Sequence, residues 1–151
     1  PPPPPPPPPP RFQAEDGIRD EASCLVGSEM CIRDRLEPGR SVVTLSDRRS
    51  VRNHLRSIHA IALTNLGELS SGLAMLTTLP PGTRGIVVDL EVGFEKKARG
   101  LLTATGTAVA PAMDSLSEDD VEALATAVIR DSERDVVAEV RVRWRIGIAG
   151  N

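Results

Sequence analysis

A carboxylate inside an apolar run is the first feature of this sequence that could do chemistry. Glu68 is the only acidic residue in IHAIALTNLGELSSGLAMLTTL, residues 58–79, with Thr64 four positions before it and Ser71 three after. On a helix those spacings place all three on one narrow polar face. A carboxylate so placed can activate a water or attack a carbonyl directly. Burying it without such a purpose is costly, although the two hydroxyls or a partner chain could also satisfy it. The amides of Ile58, His59 and Ala60 open the same segment, and free N–H groups at a helix start offer donors to an oxyanion, with the positive end of the macrodipole behind them. His59 either orients Asn53 and the reacting carbonyl or caps the helix. Asn53 either polarises that carbonyl through its amide or closes a turn. Arg56, Lys96, Lys97 and Arg99 either meet phosphates or form a solvated face. The sequence has no glycine-rich phosphate loop and no cluster of metal ligands, so neither a cofactor nor a metal is expected.

The elements that must hold these groups follow from hydrophobic period. Ser57 offers an N-cap to a helix over residues 58–79, and Ile58, Ala62, Leu66, Leu69, Leu73 and Leu76 step by three and four along one stripe. Ile61, Leu63 and Met75 lie off that stripe, so the helix is apolar on more than one side and must be wrapped by other structure. Pro80, Pro81 and Gly82 end it. Upstream, SVVTLS (41–46) reads as a strand before the charged break Asp47 to Arg49. Downstream the period changes to two, with Ile86, Val88, Leu90, Val92 and Phe94 expected on the buried face of a long strand. A second strand, 101–109, follows through a tight connection at Arg99-Gly100. Residues 111–120 form a loop with the acidic cluster Glu118 to Asp120. Residues 121–130 suit a helix or a strand, and the turn 131–135 leading into the alternating run 136–146 favours the strand of a hairpin. In that last run Arg141, Arg143 and Arg145 make an exposed row facing Glu91 and Glu95. A strand, one apolar helix and four mainly antiparallel strands give an α+β chain in which a curved sheet wraps a long central helix, the hotdog fold.

The first 35 of the 151 residues read differently. Residues 1–10 are all proline, which can neither join a sheet nor continue a helix, and residues 11–35 show no apolar period. QAEDGIRD (13–20) and LVGSEMCIRD (25–34) resemble translated frames of a flow-cell primer and a transposon-end adaptor used in DNA sequencing. Residues 1–35 are therefore expected to be foreign and without packed structure, and 36–151 to be a single domain that has lost its native amino terminus. Setting the head aside lowers the formal charge from −3 to −1, with 14 basic and 15 acidic residues, and removes both cysteines. Disulfide and thiolate-metal chemistry are then excluded. With charge near zero and only Phe94 and Trp144 as aromatics, binding of nucleic acid through a basic patch and base stacking has little support. The remainder contains no apolar run of membrane-spanning length, so no membrane association and a cytoplasmic location are expected.

Asn53 to Glu68, NHLRSIHAIALTNLGE, resembles the hotdog acyl-CoA thioesterases, especially those like the phenylacetate-pathway enzyme. Many of these carry N-x-x-G-x-x-H-G-G with an acidic residue nine positions after the histidine. Together with GFEKKARGLLTA (93–104), the segment is most similar to a branch of that superfamily named only as a domain of unknown function. Asn53, His59 and Glu68 match the family's functional positions, whereas Arg56 replaces the first glycine and Ala60-Ile61 the glycine pair. The resemblance implies hydrolysis of an acyl-CoA or related thioester, with Glu68 as base or nucleophile, Asn53 and the helix-start amides polarising the carbonyl, and His59 in support. Arg56, Ser57, Ala60, Thr64, Ser71, Lys96, Lys97 and Arg99 would contact the substrate. The alternative is a protein that binds acyl thioesters, or serves as a scaffold, without catalysis. A homodimer or tetramer is implied as well. His59 and Glu68, nine residues apart, should lie on opposite sides of the helix and roughly 13 Å apart along it, so each site is expected to draw on two chains.

Overall fold

The computed structural model describes residues 31–112 and 120–150. Its strands are β1 (Cys31–Glu37), β2 (Arg40–Leu45), β3 (Thr83–Phe94), β4 (Leu102–Ala108), β5 (Val121–Arg130) and β6 (Val136–Ile148). One helix, α1 (Ala60–Leu76), and a 3-10 turn at Arg49–Val51 lie between β2 and β3. The strands form one antiparallel sheet in the order β1-β2-β4-β5-β6-β3, with α1 packed on its inner face. This is the α+β arrangement of one helix in a curved sheet that the periodicities predict, and residues 121–130 are indeed a strand. β1 crosses the expected boundary before Leu36: Cys31 already pairs with Leu45. Strand pairing uses backbone groups that every residue but proline carries, so an aperiodic sequence can still form it. Most of the acidic cluster expected at 118–120 lies outside the described residues; Asp120 is exposed.

Three expectations about packing need correction. First, β3 and β4 are not a hairpin. β3 pairs with β6 at one edge of the sheet while β4 lies between β2 and β5, so residues 95–101 are a crossover. Gly100, in a left-handed conformation (φ 71°), turns the chain at its end. Second, a bulge between Val87 and Asp89 reverses the facing of β3, which exposes Ile86 while Val88, Leu90 and Val92 stay half-buried. Phe94, at the strand's end, is also exposed. Third, the buried face of α1 is broader than the leucine stripe, of which Ile58 and Leu66 are buried, Ala62, Leu69 and Leu73 pack partly against the core and Leu76 is exposed. That face comprises Leu63, Leu66, Gly67, Ser70, Ser71, Gly72, Ala74 and Met75, whereas Ile61, like Leu76, faces outward.

Close approach explains that choice of face. A Cβ on Gly106 of β4 would collide with the backbone carbonyl of Ser70, and Ser41 Oγ donates to the same carbonyl at 2.5 Å. Small residues therefore set the distance between helix and sheet, and the leucines on either side fill the flanks. On β6, Val140, Val142, Trp144 and Ile146 point into the core and Arg141, Arg143 and Arg145 outward. Arg143 lies 4.0 Å from Asp89 and 3.9 Å from Glu122, and Arg145 lies 4.0 Å from Glu122. Glu91 stands opposite Arg141 in the strand register, as expected, whereas Glu95 lies past the end of β3 and the acids within 4.0 Å of Arg143 and Arg145 are Asp89 and Glu122.

Candidate active site

A small hairpin delivers the chain to the start of α1. Arg52 and Ile58 pair across it, Asn53 N donates to Ser57 O at 2.8 Å, and Arg56 N to Asn53 O at 3.1 Å. Arg56 takes the left-handed conformation at φ 57°. A type I turn followed by one left-handed residue is a standard three-residue hairpin loop, and glycine is its favoured last member. The position at which the resemblance places a glycine thus keeps a glycine's geometry with an arginine in it. Asn53 Oδ1 accepts from Leu55 N at 2.9 Å and Ser57 N at 3.2 Å, so this side chain closes the turn.

The hairpin is tied to the crossover. Ile58 N and Ser57 Oγ both donate to Ala98 O, at 2.8 and 3.1 Å, so Ser57 does not cap the helix. Asp47 clamps the same junction, accepting from Arg52 Nε at 2.6 Å and from Gly100 N at 2.8 Å. The hydrogen bond from Arg52 holds the Asp47 carboxyl below its ordinary range despite the opposing effect of burial.

His59 is the true N-cap. Its backbone N–H reaches Val51 O at 2.7 Å, and its Nδ1 accepts from Ile61 N at 3.1 Å, so a neutral ring carries its proton on Nε2. The helix consequently starts at Ala60, and two of the three amides expected to serve an oxyanion, those of Ile58 and His59, are already taken. The Ala60 N–H has no acceptor among the described residues.

Glu68 emerges half-buried from the middle of α1. Neither neighbouring hydroxyl serves its carboxylate: Thr64 Oγ1 donates to Ala60 O at 2.8 Å and Ser71 Oγ to the backbone carbonyl of Glu68 at 3.0 Å. No hydrogen bond or ion pair from a described residue reaches that carboxylate, and burial pushes its pKa above the ordinary value. It faces a cavity of about 500 Å³ whose walls include Arg52, His59, Ile61, Asn65 and Leu90.

Of the residues expected to form the site, His59, Thr64 and Glu68 meet at this cavity. Asn53, Arg56, Ser57, Ala60, Ser71, Lys96, Lys97 and Arg99 are not among its walls. Lys96 Nζ is held by Asp131 at 2.7 Å and Asp135 at 2.8 Å, which raise its pKa and tie the crossover to the β5–β6 turn. His59 and Glu68 both line this cavity within one chain. His59 is a cap, its ring folded back onto Ile61, and not a residue of the helix wall. Arg52, Asn65 and Leu90 were missed. Their signals were weak: a basic run RRSVR before the helix, and Asn65 one turn ahead of Glu68.

The sequence model of the family described as Domain of unknown function (DUF4442) matches residues 26–146. The chain belongs to this family. No curated protein matches the sequence. Among solved structures, the DUF4442 chain is similar to a protein of unknown function and probable thioesterase from Pseudomonas aeruginosa, at TM-score 0.69 and 24% identity over 77% of this chain and 81% of that one. It is similar to a hypothetical thioesterase of Streptococcus pneumoniae solved with coenzyme A, at TM-score 0.69 and 19% identity over 91% of this chain and 98% of that one. A thioesterase from Haemophilus influenzae matches at TM-score 0.67 and 13% identity, over 80% of each chain. The DUF4442 chain therefore has the hotdog fold of these thioesterases. Among its described residues, no helix is long and apolar enough to cross a membrane.

Proposed function

We propose that this DUF4442 protein hydrolyses an acyl-CoA or related thioester, with Glu68 as general base. The observation that carries the reading is the unpaired, half-buried Glu68 carboxylate facing a cavity that also receives His59. Glu68 takes a proton from water as the water oxygen bonds to the thioester carbonyl carbon. The negative charge on the carbonyl oxygen is met by the Nε2–H of His59, the donor that reaches the cavity. Collapse of the tetrahedral intermediate breaks the carbon–sulfur bond, and the departing thiolate takes the proton back from Glu68. Asn53 acts through the turn it closes, positioning the helix start. Arg56, Lys97 and Arg99 stand exposed on the neighbouring hairpin and crossover as partners for phosphates, while Lys96 is committed to its aspartates.

The likeness to a structure holding coenzyme A supports the substrate class. Release of free thiol from a panel of acyl-CoA thioesters by the purified protein tests the reading, and no release from any of them would reject it. A second reading, binding of acyl thioesters without hydrolysis, is favoured by one observation: the amides of Ile58 and His59 are spent on Ala98 and Val51, which leaves a meagre oxyanion site. Calorimetric binding of acyl-CoA without turnover would select it. We also propose a homodimer, since α1 turns Ile61, 72% exposed, outward beside the free edge of β3 with its exposed Ile86, Val87 and Phe94.

A further inference from the structure

The chain's only tryptophan lies just beyond Glu68, on the core side. A Cβ built on Gly72 of α1 would stand 3.3 Å from Trp144 Cζ2 and 3.8 Å from Glu68 Oε1, so carboxylate and indole flank the same point. A Cβ on Gly85 of β3 would stand 3.0 Å from Cε3 of the same ring. Glycines on two separate elements thus make room for the indole, which spans the seam between helix and edge strand. The strand register gives its depth. Leu90, a wall of the cavity, is opposite Val142, and Val87 is opposite Trp144, the next inward-facing residue along β6. From the helix start the cavity runs past His59 and Asn65 to Glu68 and Leu90; Trp144 is not one of its walls and stands behind Glu68, across the Gly72 position. Trp144 is 6% exposed, and its buried Nε1–H has no acceptor among the described residues. Indole N–H groups held purely in a core usually find a partner, which marks this ring as more than filler.

We infer that Trp144 is a specificity-determining residue: it closes the acyl end of the site and confines the substrate to short acyl groups. The inference rests on the proposed thioester chemistry for its substrate, and on the Gly72–Trp144–Gly85 packing for its content. With the thioester carbonyl at Glu68, an acyl chain continuing along the seam reaches the ring after a few carbons. The glycines on both sides leave the ring no room to swing without moving the backbone contacts around them.

The test reads binding as well as turnover. Acetyl-, butyryl-, octanoyl- and dodecanoyl-CoA are titrated calorimetrically into the Glu68→Gln protein, alone and combined with Trp144→Leu or Trp144→Phe, and turnover is measured with Glu68 restored. Butyryl-CoA is expected to outbind octanoyl-CoA in the parent. Trp144→Leu should shift that ratio towards octanoyl about tenfold or more, while Trp144→Phe keeps most of the short-chain preference. Should the leucine variant not fold, tryptophan emission of the Glu68→Gln protein decides: butyryl-CoA must change it saturably and coenzyme A must not. A folded leucine variant with an unaltered length profile overturns the inference and leaves the thioester reading standing. Identical emission changes with coenzyme A and butyryl-CoA do the same. Failure of every acyl-CoA to bind rejects both.

Discussion

Three side chains have pH dependences or strains that follow from their immediate surroundings. Burial raises the Glu68 pKa, so its ionisation opposes folding: stability is greatest while Glu68 is protonated and declines as pH rises from the unfolded to the folded value. As a base it acts only when ionised, so the acid limb of kcat/KM should lie above the range of an ordinary glutamate, and a limb at the ordinary value would deny it that role. Asp47 behaves oppositely. Its depressed pKa gives stability that is present above the unfolded value and lost as pH falls through the folded one. Asp47→Asn should lower Tm at neutral pH and flatten the loss of stability on the acid side, as thermal melts across that range would record. Arg56 bears a left-handed backbone at φ 57°. Arg56→Gly should raise the urea midpoint by the equivalent of up to about 1 kcal/mol, the left-handed cost less glycine's extra chain entropy.

Among the elements, period was a good guide to strands and a poor one to the helix. β6 was legible because alternation over many residues has no other explanation, and it buries the residues that alternation selects, whereas β5 suited helix or strand and was read from the turn that joins it to β6. The β3 face was not legible, since a bulge leaves no mark where three apolar residues, Ile86 to Val88, follow one another. Helix α1 misled because leucines advertise a stripe while the serines and glycines that face the sheet do not. Glu68 stood out as a lone acid, and His59 by its spacing from it, but the distinction between cap and helix wall depended on a single hydrogen bond to Ile61. Arg52 and Leu90 come to the cavity from a turn and an edge strand, which no local pattern connects. The tight helix–sheet approach predicts that Gly106→Ala is among the most damaging small substitutions, costing on the order of 3 kcal/mol or more through its collision with the Ser70 carbonyl. A chemical melt within a few tenths of the parent would show that the helix can yield there.

At the scale of the molecule, the apolar outer side of α1 and the free edge of β3 form one unpartnered surface next to the cavity. Sedimentation at micromolar concentration should show a dimer, and Ile61→Glu should shift it toward monomer by placing a charge in the middle of that surface. A parent protein that sediments as a monomer would remove the dimer and leave the one-chain cavity as the whole site. Genomic amplification across the codon for Leu36 would separately test the foreign origin of residues 1–35, for which a poly-proline run encoded in the source genome would be the contrary result. The central claim is that Glu68 activates the water that cleaves a thioester. Its most direct test compares the initial rate of thiol release from the best acyl-CoA substrate by parent and Glu68→Gln protein, with Tm measured on both. The predicted result is a loss of about a hundredfold or more at a Tm equal to or above the parent's, and equal rates at equal Tm would contradict the account.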